Sequence, residues 1–191
     1  HIQLIKYLGQ VFRGDLGYSF YYDQSVTELL LGHLPTTLML TISALILAVV
    51  FGTLFGVYAA LKPKGIFSNF VTVLSLFGYA TPVFWLGMII LLVFALYLPL
   101  FPAFGIRSLP EPEHAVGRIL DIIHHLVLPT FTLAILYLAS YSRISRASML
   151  DVLGSDYIRT ARAKGLSETK VIFKHSLKNA AMPVVTLAGL Q

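Results

Sequence analysis

LMLTISALILAVVFGTLFGVYAAL, residues 38–61, runs for 24 positions without an Asp, Glu, Lys or Arg. At 1.5 Å of rise per residue such a helix crosses a ~30 Å hydrocarbon layer. A second uncharged run covers residues 67–102, and a third covers residues 126–142 and is closed by Arg143 and Arg146. The chain is 57% hydrophobic and 12% charged, more apolar surface than a soluble domain of this size could hide in one core. The expected fold class is therefore an all-α polytopic membrane protein, with spans at about 35–61, 68–98 and 127–149.

Ten of the fourteen Lys and Arg residues follow the first or third run: Lys62, Lys64, Arg143, Arg146, Arg159, Arg162, Lys164, Lys170, Lys174 and Lys178. The positive-inside rule makes that side cytoplasmic. Lys6, Arg13, Arg107 and Arg118 fall on the other side, together with Asp15, Asp23, Glu28, Glu111, Glu113 and Asp121. The first span then runs inward, the second outward and the third inward. Basic residues placed beside membrane ends, with no base-stacking aromatic module, argue against nucleic acid as the partner. The lack of cysteine excludes disulfides and thiolate metal sites.

Residues 1–34 read as an extracytoplasmic segment. Gly14-Asp15-Leu16-Gly17-Tyr18 marks a turn, and the Ser25/Glu28 spacing fits a capping box for a short interfacial helix through Leu29, Leu30 and Leu31. Pro35 suits the first turn of the membrane helix. The membrane-spanning region is then 35–191. The run 67–102 reads as one long helix kinked at Pro82, because two crossings would put the basic loop outside. Residues 99–125 read as a Pro-rich outer loop carrying His114, His124 and His125, with Leu128-Pro129-Thr130 reopening the membrane helix. A start at His1 without Met, and an end at Gln191 inside an apolar run, lead us to expect further membrane helices on both sides.

Residues 150–180 form the expected cytoplasmic loop, followed by the start of another span at 182–191. Gly154 can end the third helix, Ser155 can cap the next, and Asp156 would sit in its first turn, favoured by the helix dipole. The segment 156–164 reads as about two turns of helix ended by Gly165, with Tyr157 and Ala161 on one side and Arg159, Arg162 and Lys164 over the rest. Ser167 and Glu168 would start a second helix running to Asn179. So short a helix is marginal alone and needs a surface to rest on. The residues themselves admit two readings, an ordinary solvated loop or a docking element.

The run Ala161-Arg162-Ala163-Lys164-Gly165, followed by His175-Ser176-Leu177-Lys178-Asn179-Ala180, resembles the cytoplasmic loop of ATP-binding-cassette (ABC) importer permeases of the dipeptide, oligopeptide and nickel group. The Gly14-Asp15-Leu16-Gly17 turn and His33-Leu34-Pro35-Thr36-Thr37-Leu38 are similar to the first permease of such pairs. In the wider superfamily the loop begins Glu-Ala-Ala and closes Ile-x-Leu-Pro. Here Arg159, Thr160 and Ala161 stand at the opening, and His175, Leu177 and Lys178 at the close, so the leading Glu and the closing Pro are absent.

The resemblance implies an ABC importer permease-type transmembrane helix bundle, seen here as a fragment and placed in the cell inner membrane. It implies a short helix that inserts into a cleft of a separate ATPase through Asp156, Tyr157, Arg159, Ala161, Ala163, Lys164 and Gly165. The implied partners are a second, similar permease, two ATP-binding-cassette ATPase subunits that hold ATP and Mg, and an extracytoplasmic substrate-binding protein. The implied cargo is short peptides, with nickel or glutathione as alternatives.

No Gly-rich phosphate loop ending in Gly-Lys-Ser/Thr occurs, so no ATP hydrolysis and no cofactor is expected in this chain. The spans hold no Asp or Glu that would suit a proton relay. A membrane-embedded enzyme finds no support in a His-Glu-x-x-His or Gly-x-Ser-x-Gly pattern. Ser43, Thr53, Ser75, Thr81 and Thr132, with Pro82 as a kink, either line a translocation path or bond to neighbouring helices. Of these, Ser75, Thr81, Pro82 and Thr132 are the path candidates.

Overall fold

A computed structural model describes residues 2–191. By contact, the chain forms two units, residues 1–41 and 42–191.

The first unit contains helix α1 (Ile2–Val11) and a short antiparallel hairpin of β1 (Tyr18–Ser19) and β2 (Gln24–Ser25), paired Tyr18 to Ser25 and Ser19 to Gln24. The glycine turn expected from the sequence is present: Gly14 and Gly17 have φ of +83° and +91°, and the Asp15 carboxylate accepts a 2.9 Å bond from the Gly17 N–H. These angles favour glycine over any residue with a Cβ. Helix α2 (Val26–Leu61) begins here and continues into the second unit.

Three sequence expectations are corrected. The short outer helix and the first span are one 36-residue helix, with Pro35 in its interior rather than its first turn. The third span likewise begins early: α5 (Ala115–Leu153) is a 39-residue helix that contains Pro129, so His124 and His125 are helical residues and not part of an outer loop. In both cases the chain continues through proline, which long membrane helices tolerate because neighbouring groups re-satisfy the freed carbonyl. The run 67–102 is not one kinked helix. Helices α3 (Ile66–Ala80) and α4 (Val83–Leu91), the latter extended by a π-helical stretch Leu92–Tyr97, meet at a bend of 106°. Thr81 and Pro82 are both extended, because Pro82 cannot donate and excludes the residue before it from the helical region.

Helices α2 and α5 are long and apolar enough to cross a membrane, and the bent α3–α4 pair makes a third if counted as one. Large apolar side chains such as Phe70, Val73, Leu76 and Phe77 stand exposed along α3, as expected where the solvent is lipid.

In the second unit α5 is the central post. Small residues at every fourth position of α2, namely Ala44, Ala48, Gly52, Gly56 and Ala60, are buried. A Cβ on Gly52 would come within 2.7 Å of the Tyr141 Cβ, and one on Gly56 within 2.5 Å of the Ser142 carbonyl oxygen. Close approach lets the Ser145 hydroxyl donate to the Thr53 carbonyl (3.1 Å), while the Ser43 and Thr130 hydroxyls bond at 3.0 Å. Residue numbers rise together on the two helices, so α2 and α5 run parallel. That agrees with the same inward direction expected for both.

On the opposite side contacts proceed in reverse. Ser75 bonds Ser142 (2.9 Å), Gly78 abuts Ala139, Gly87 abuts Thr132, and Leu86 and Ile90 cluster with Leu128. Beyond α4, the Leu100 carbonyl meets His124 Nε2 at 2.9 Å. Despite its break, the α3–α4 pair passes once along α5, from Ser142 to His124, ~27 Å of helix.

The small-residue seam predicts that Gly56→Leu lowers the stability of the detergent-solubilised protein by about 1–3 kcal/mol or more, since backbone atoms must move. Gly189→Ala, where an added Cβ meets nothing within 4 Å, should leave the thermal unfolding midpoint unchanged.

Candidate functional site

Helix α5 stops at Gly154, and the two-residue turn Gly154-Ser155 leads straight into α6 (Asp156–Ala163). Ser155 occupies the N-cap with an extended backbone, but its hydroxyl donates back to the Val152 carbonyl instead of capping α6. The side-chain cap expected from the sequence is therefore absent. Asp156 in the first turn and Arg162 in the last still match the helix dipole. The Asp156–Arg159 pair at 3.3 Å is almost wholly solvated and adds little.

An eight-residue helix needs an anchor, and three buried side chains supply it. Ile158 and Val171 are fully buried, Ala161 is 8% exposed, and Val152 and Leu166 pack against them. Gly165, at φ +76°, turns the chain so that Leu166 can reach this cluster. Across the turn the Arg162 guanidinium donates from Nε and Nη2 to the two Glu168 carboxylate oxygens, at 2.9 and 3.3 Å. The following helix begins at Glu168, passes through a π-helical stretch Lys170–Ser176 and ends in α7 (Leu177–Ala180), where Asn179 Nδ2 donates to the Tyr157 hydroxyl at 2.8 Å. Helix α8 (Met182–Leu190) follows, with Pro183 in its first turn.

Of the seven residues expected to meet a partner, Asp156, Tyr157, Arg159, Ala163, Lys164 and Gly165 lie on the exposed surface. Ala161 does not: it faces inward with Ile158, so Tyr157 and Ala161 do not share a working face. Ile158 and Val171, the residues that hold α6 in place, were missed, although Ile158 and Ala161 at i and i+3 in a basic segment carry the signal. Val152 packs both against this cluster and against a second one of Val57, Ala60, Met149 and Ala180. Side-chain packing is thus continuous from α6 to α2 and α5.

The path candidates are not brought together. Ser75 donates to the Val71 carbonyl, bonds Ser142 and lines a cavity between α3 and α5. Thr132 is buried, donates to the Leu128 carbonyl and lies beside Gly87. Thr81 donates to the Phe77 carbonyl at the helix break beside Pro82. His124 is turned to the Leu100 carbonyl, and His125 Nδ1 lies 2.8 Å from the Asp121 carbonyl oxygen and 3.5 Å from its carboxylate. Among the described residues no group of three or more His, Cys, Asp or Glu could hold a metal ion.

Comparison with known proteins places this arrangement in context. Residues 52–191 match the family described as binding-protein-dependent transport system inner membrane component. Over its whole length the chain is 42% identical to the oligopeptide transport system permease protein AppB of Bacillus subtilis (strain 168), covering 59% of that protein. It is 40% identical over 99% of its length to the di/tripeptide transport system permease protein DppB of Pseudomonas aeruginosa (strain UCBPP-PA14), covering 60% of it. It is 37% identical over its whole length to the glutathione transport system permease protein GsiC of Salmonella paratyphi A (strain ATCC 9150 / SARB42), covering 58%. The chain thus spans about three-fifths of the length of these curated relatives. With a family match over most of the chain and relatives this similar, it belongs to the inner-membrane components of binding-protein-dependent transport systems.

Proposed function

We propose that this chain is part of a multi-pass permease subunit of an ATP-driven importer of short peptides in the cell inner membrane, and that a separate ATPase grips it at α6. The observation that carries this is the short exposed helix hung from the end of α5. Six of its expected contact residues face outward, while its buried side joins by continuous packing to the membrane helices. A solvated loop has no need of a buried anchor on both sides of a glycine turn. A helix that must transmit force needs one.

The family match supports a wider scheme. A second, similar permease would complete the path, two ATPase subunits would hold ATP and Mg, and an extracytoplasmic binding protein would deliver cargo. Closure of the ATPases would push α6, and through Val152 and Met149 the inner ends of α5 and α2, alternating access to the path. Parallel α2 and α5, with α3–α4 passing once in the opposite sense between them in sequence, support three spans here with residues 150–180 on the cytoplasmic side. Relatives named for oligopeptides and di/tripeptides favour peptide cargo. The similarity to a glutathione permease supports glutathione as a second cargo reading, and that molecule is itself a tripeptide.

The coupling assignment is tested by a crosslink. The chain has no cysteine, so a single Ala163→Cys paired with cysteines in the co-expressed ATPase cleft can be oxidised without background. A specific adduct whose yield changes with ATP is expected. An intact complex that never yields one would remove α6 from the interface.

Gly165→Leu separates coupling from folding. A side chain there meets no atom within 4 Å but must adopt a left-handed backbone, at about 1–2 kcal/mol. The protein should remain in the membrane and lose uptake.

Ile158→Ala should cost about 2–5 kcal/mol of local packing. Trypsin cleavage at Arg159 and Arg162 would then speed up by roughly tenfold or more. Unchanged cleavage would mean that the buried side of α6 does not hold it in place.

A further inference from the structure

The α3–α5 cavity has a volume of about 280 Å³ and is lined by Val71, Ser75, Leu76, Tyr79, Ser142, Arg143 and Arg146 among others. Most of that lining is apolar, yet two guanidiniums reach it. Arg143 stacks over the Tyr79 ring, 5.4 Å from its centroid. Arg146 reaches the Pro63 carbonyl weakly, at 3.5 Å, and its Nε is buried with no hydrogen-bond partner. Among the described residues, neither arginine has a carboxylate within salt-bridge distance. The buried, unpartnered Nε of Arg146 is costly, and with the exposed Arg143 beside the same groove it calls for a counter-charge from outside the helix.

The place of the cavity says what that anion is. Pro63 belongs to the α2–α3 turn between Lys62 and Lys64, at the end of the bundle where basic residues concentrate. Arg143 and Arg146 lie within a few residues of the inner end of the expected span 127–149, where the charge placement puts the cytoplasmic leaflet. Beside them, Phe70, Val73 and Leu76 of α3 are exposed, a surface on which acyl chains can lie. Serine hydroxyls at the cavity wall offer two further donors once Ser75 and Ser142 turn from each other.

We propose that this groove binds the phosphate of an anionic phospholipid from the cytoplasmic leaflet. Arg143 and Arg146 hold the oxyanion, and the α3 face carries the chains. Basic pockets between membrane helices on the cytoplasmic side are suited to such head groups. A translocated peptide would instead meet a site with hydrogen-bonding groups along its backbone, which this apolar lining lacks.

The test uses the intact transporter, placed in nanodiscs of phosphatidylcholine with a minor share of phosphatidylglycerol, released from them and weighed with its retained lipids by native mass spectrometry. Enrichment of phosphatidylglycerol over its share of the bilayer is expected. In Arg143→Gln/Arg146→Gln the enrichment should fall roughly thirty-fold, about five-fold for each basic group. Arg143→Lys/Arg146→Lys should keep most of it. Lys170→Gln/Lys174→Gln, a loss of the same charge elsewhere, should keep all of it. If the paired glutamine variant fails to assemble, Arg143→Gln alone should show the five-fold loss.

Equal retention in the wild-type and glutamine proteins would overturn the proposal. Displacement of the lipid by inorganic phosphate would overturn it in favour of a soluble anion site. Displacement by a dipeptide would do so in favour of a station on the cargo path. Either result would leave the α6 assignment untouched.

Discussion

The distance between the backbones of α2 and α5 governs the rest of the bundle. The helices approach so closely that a methyl group would collide with the Tyr141 Cβ at Gly52 and with backbone atoms of α5 at Gly56. Inside a bilayer no hydrophobic force draws helices together, because lipid tails are as apolar as the side chains. Association comes instead from dispersion contact and interhelical hydrogen bonds, both of which need short separations. The Ser145 to Thr53 bond is one that only a small-residue seam permits. With α2 fixed on one side of α5, the α3–α4 pair fills the other through Ser75, Gly78 and Gly87. Small residues thus line the contacts of the central helix with both neighbours.

In the proposed coupling, α6 would act through that arrangement. It follows α5 after a two-residue turn, and the clusters around Ile158 and Met149 share Val152. A push on the exposed side of α6 therefore bears on the inner ends of α5 and α2 without crossing a flexible linker. Packed side chains with little free volume transmit such displacements, whereas a glycine-rich connection would absorb them. Gly165 lies on the far side of α6, where freedom of backbone is used to reverse the chain and not to loosen the joint with α5.

Much of this was legible in the sequence, and the failures share a cause. Long uncharged runs announce lipid as solvent, charge placement gave a parallel α2 and α5, and Asp156 with Gly165 bounded α6 to within a residue. Prolines misled in both directions. Pro35 and Pro129 look like helix starts in the sequence and are interior, because a long membrane helix has neighbours to support it. Pro82 looks like a kink and is a break, with Thr81 extended before it. Histidines and charges in 115–125 suggested a loop, but Val116, Ile119, Leu120 and Ile123 keep helical spacing there. The Gly52/Gly56 seam was overlooked since hydropathy counts a small residue as merely less apolar. Its function lies in the space it leaves.

The break at Thr81-Pro82 carries a constraint of its own. Pro82 has no N–H to offer the Gly78 carbonyl, and the extended pair interrupts the ladder within the passage of α3–α4 along α5. In hydrocarbon an unsatisfied carbonyl costs several kcal/mol, so irregular backbone at membrane depth persists only where protein or a water-filled cavity covers it. Thr81 relieves part of the demand at Phe77, whose carbonyl accepts from both its N–H and its hydroxyl, but that leaves the later carbonyls without a donor from α4's first turn. The carbonyls freed at Thr81 and Pro82 must then be covered by something other than lipid. Packed protein or a polar, water-filled cavity provides such a surface. Of the polar residues in these spans, those at the break have the strongest physical reason to lie on it, stronger than Thr132, whose hydroxyl is already satisfied and buried within the bundle.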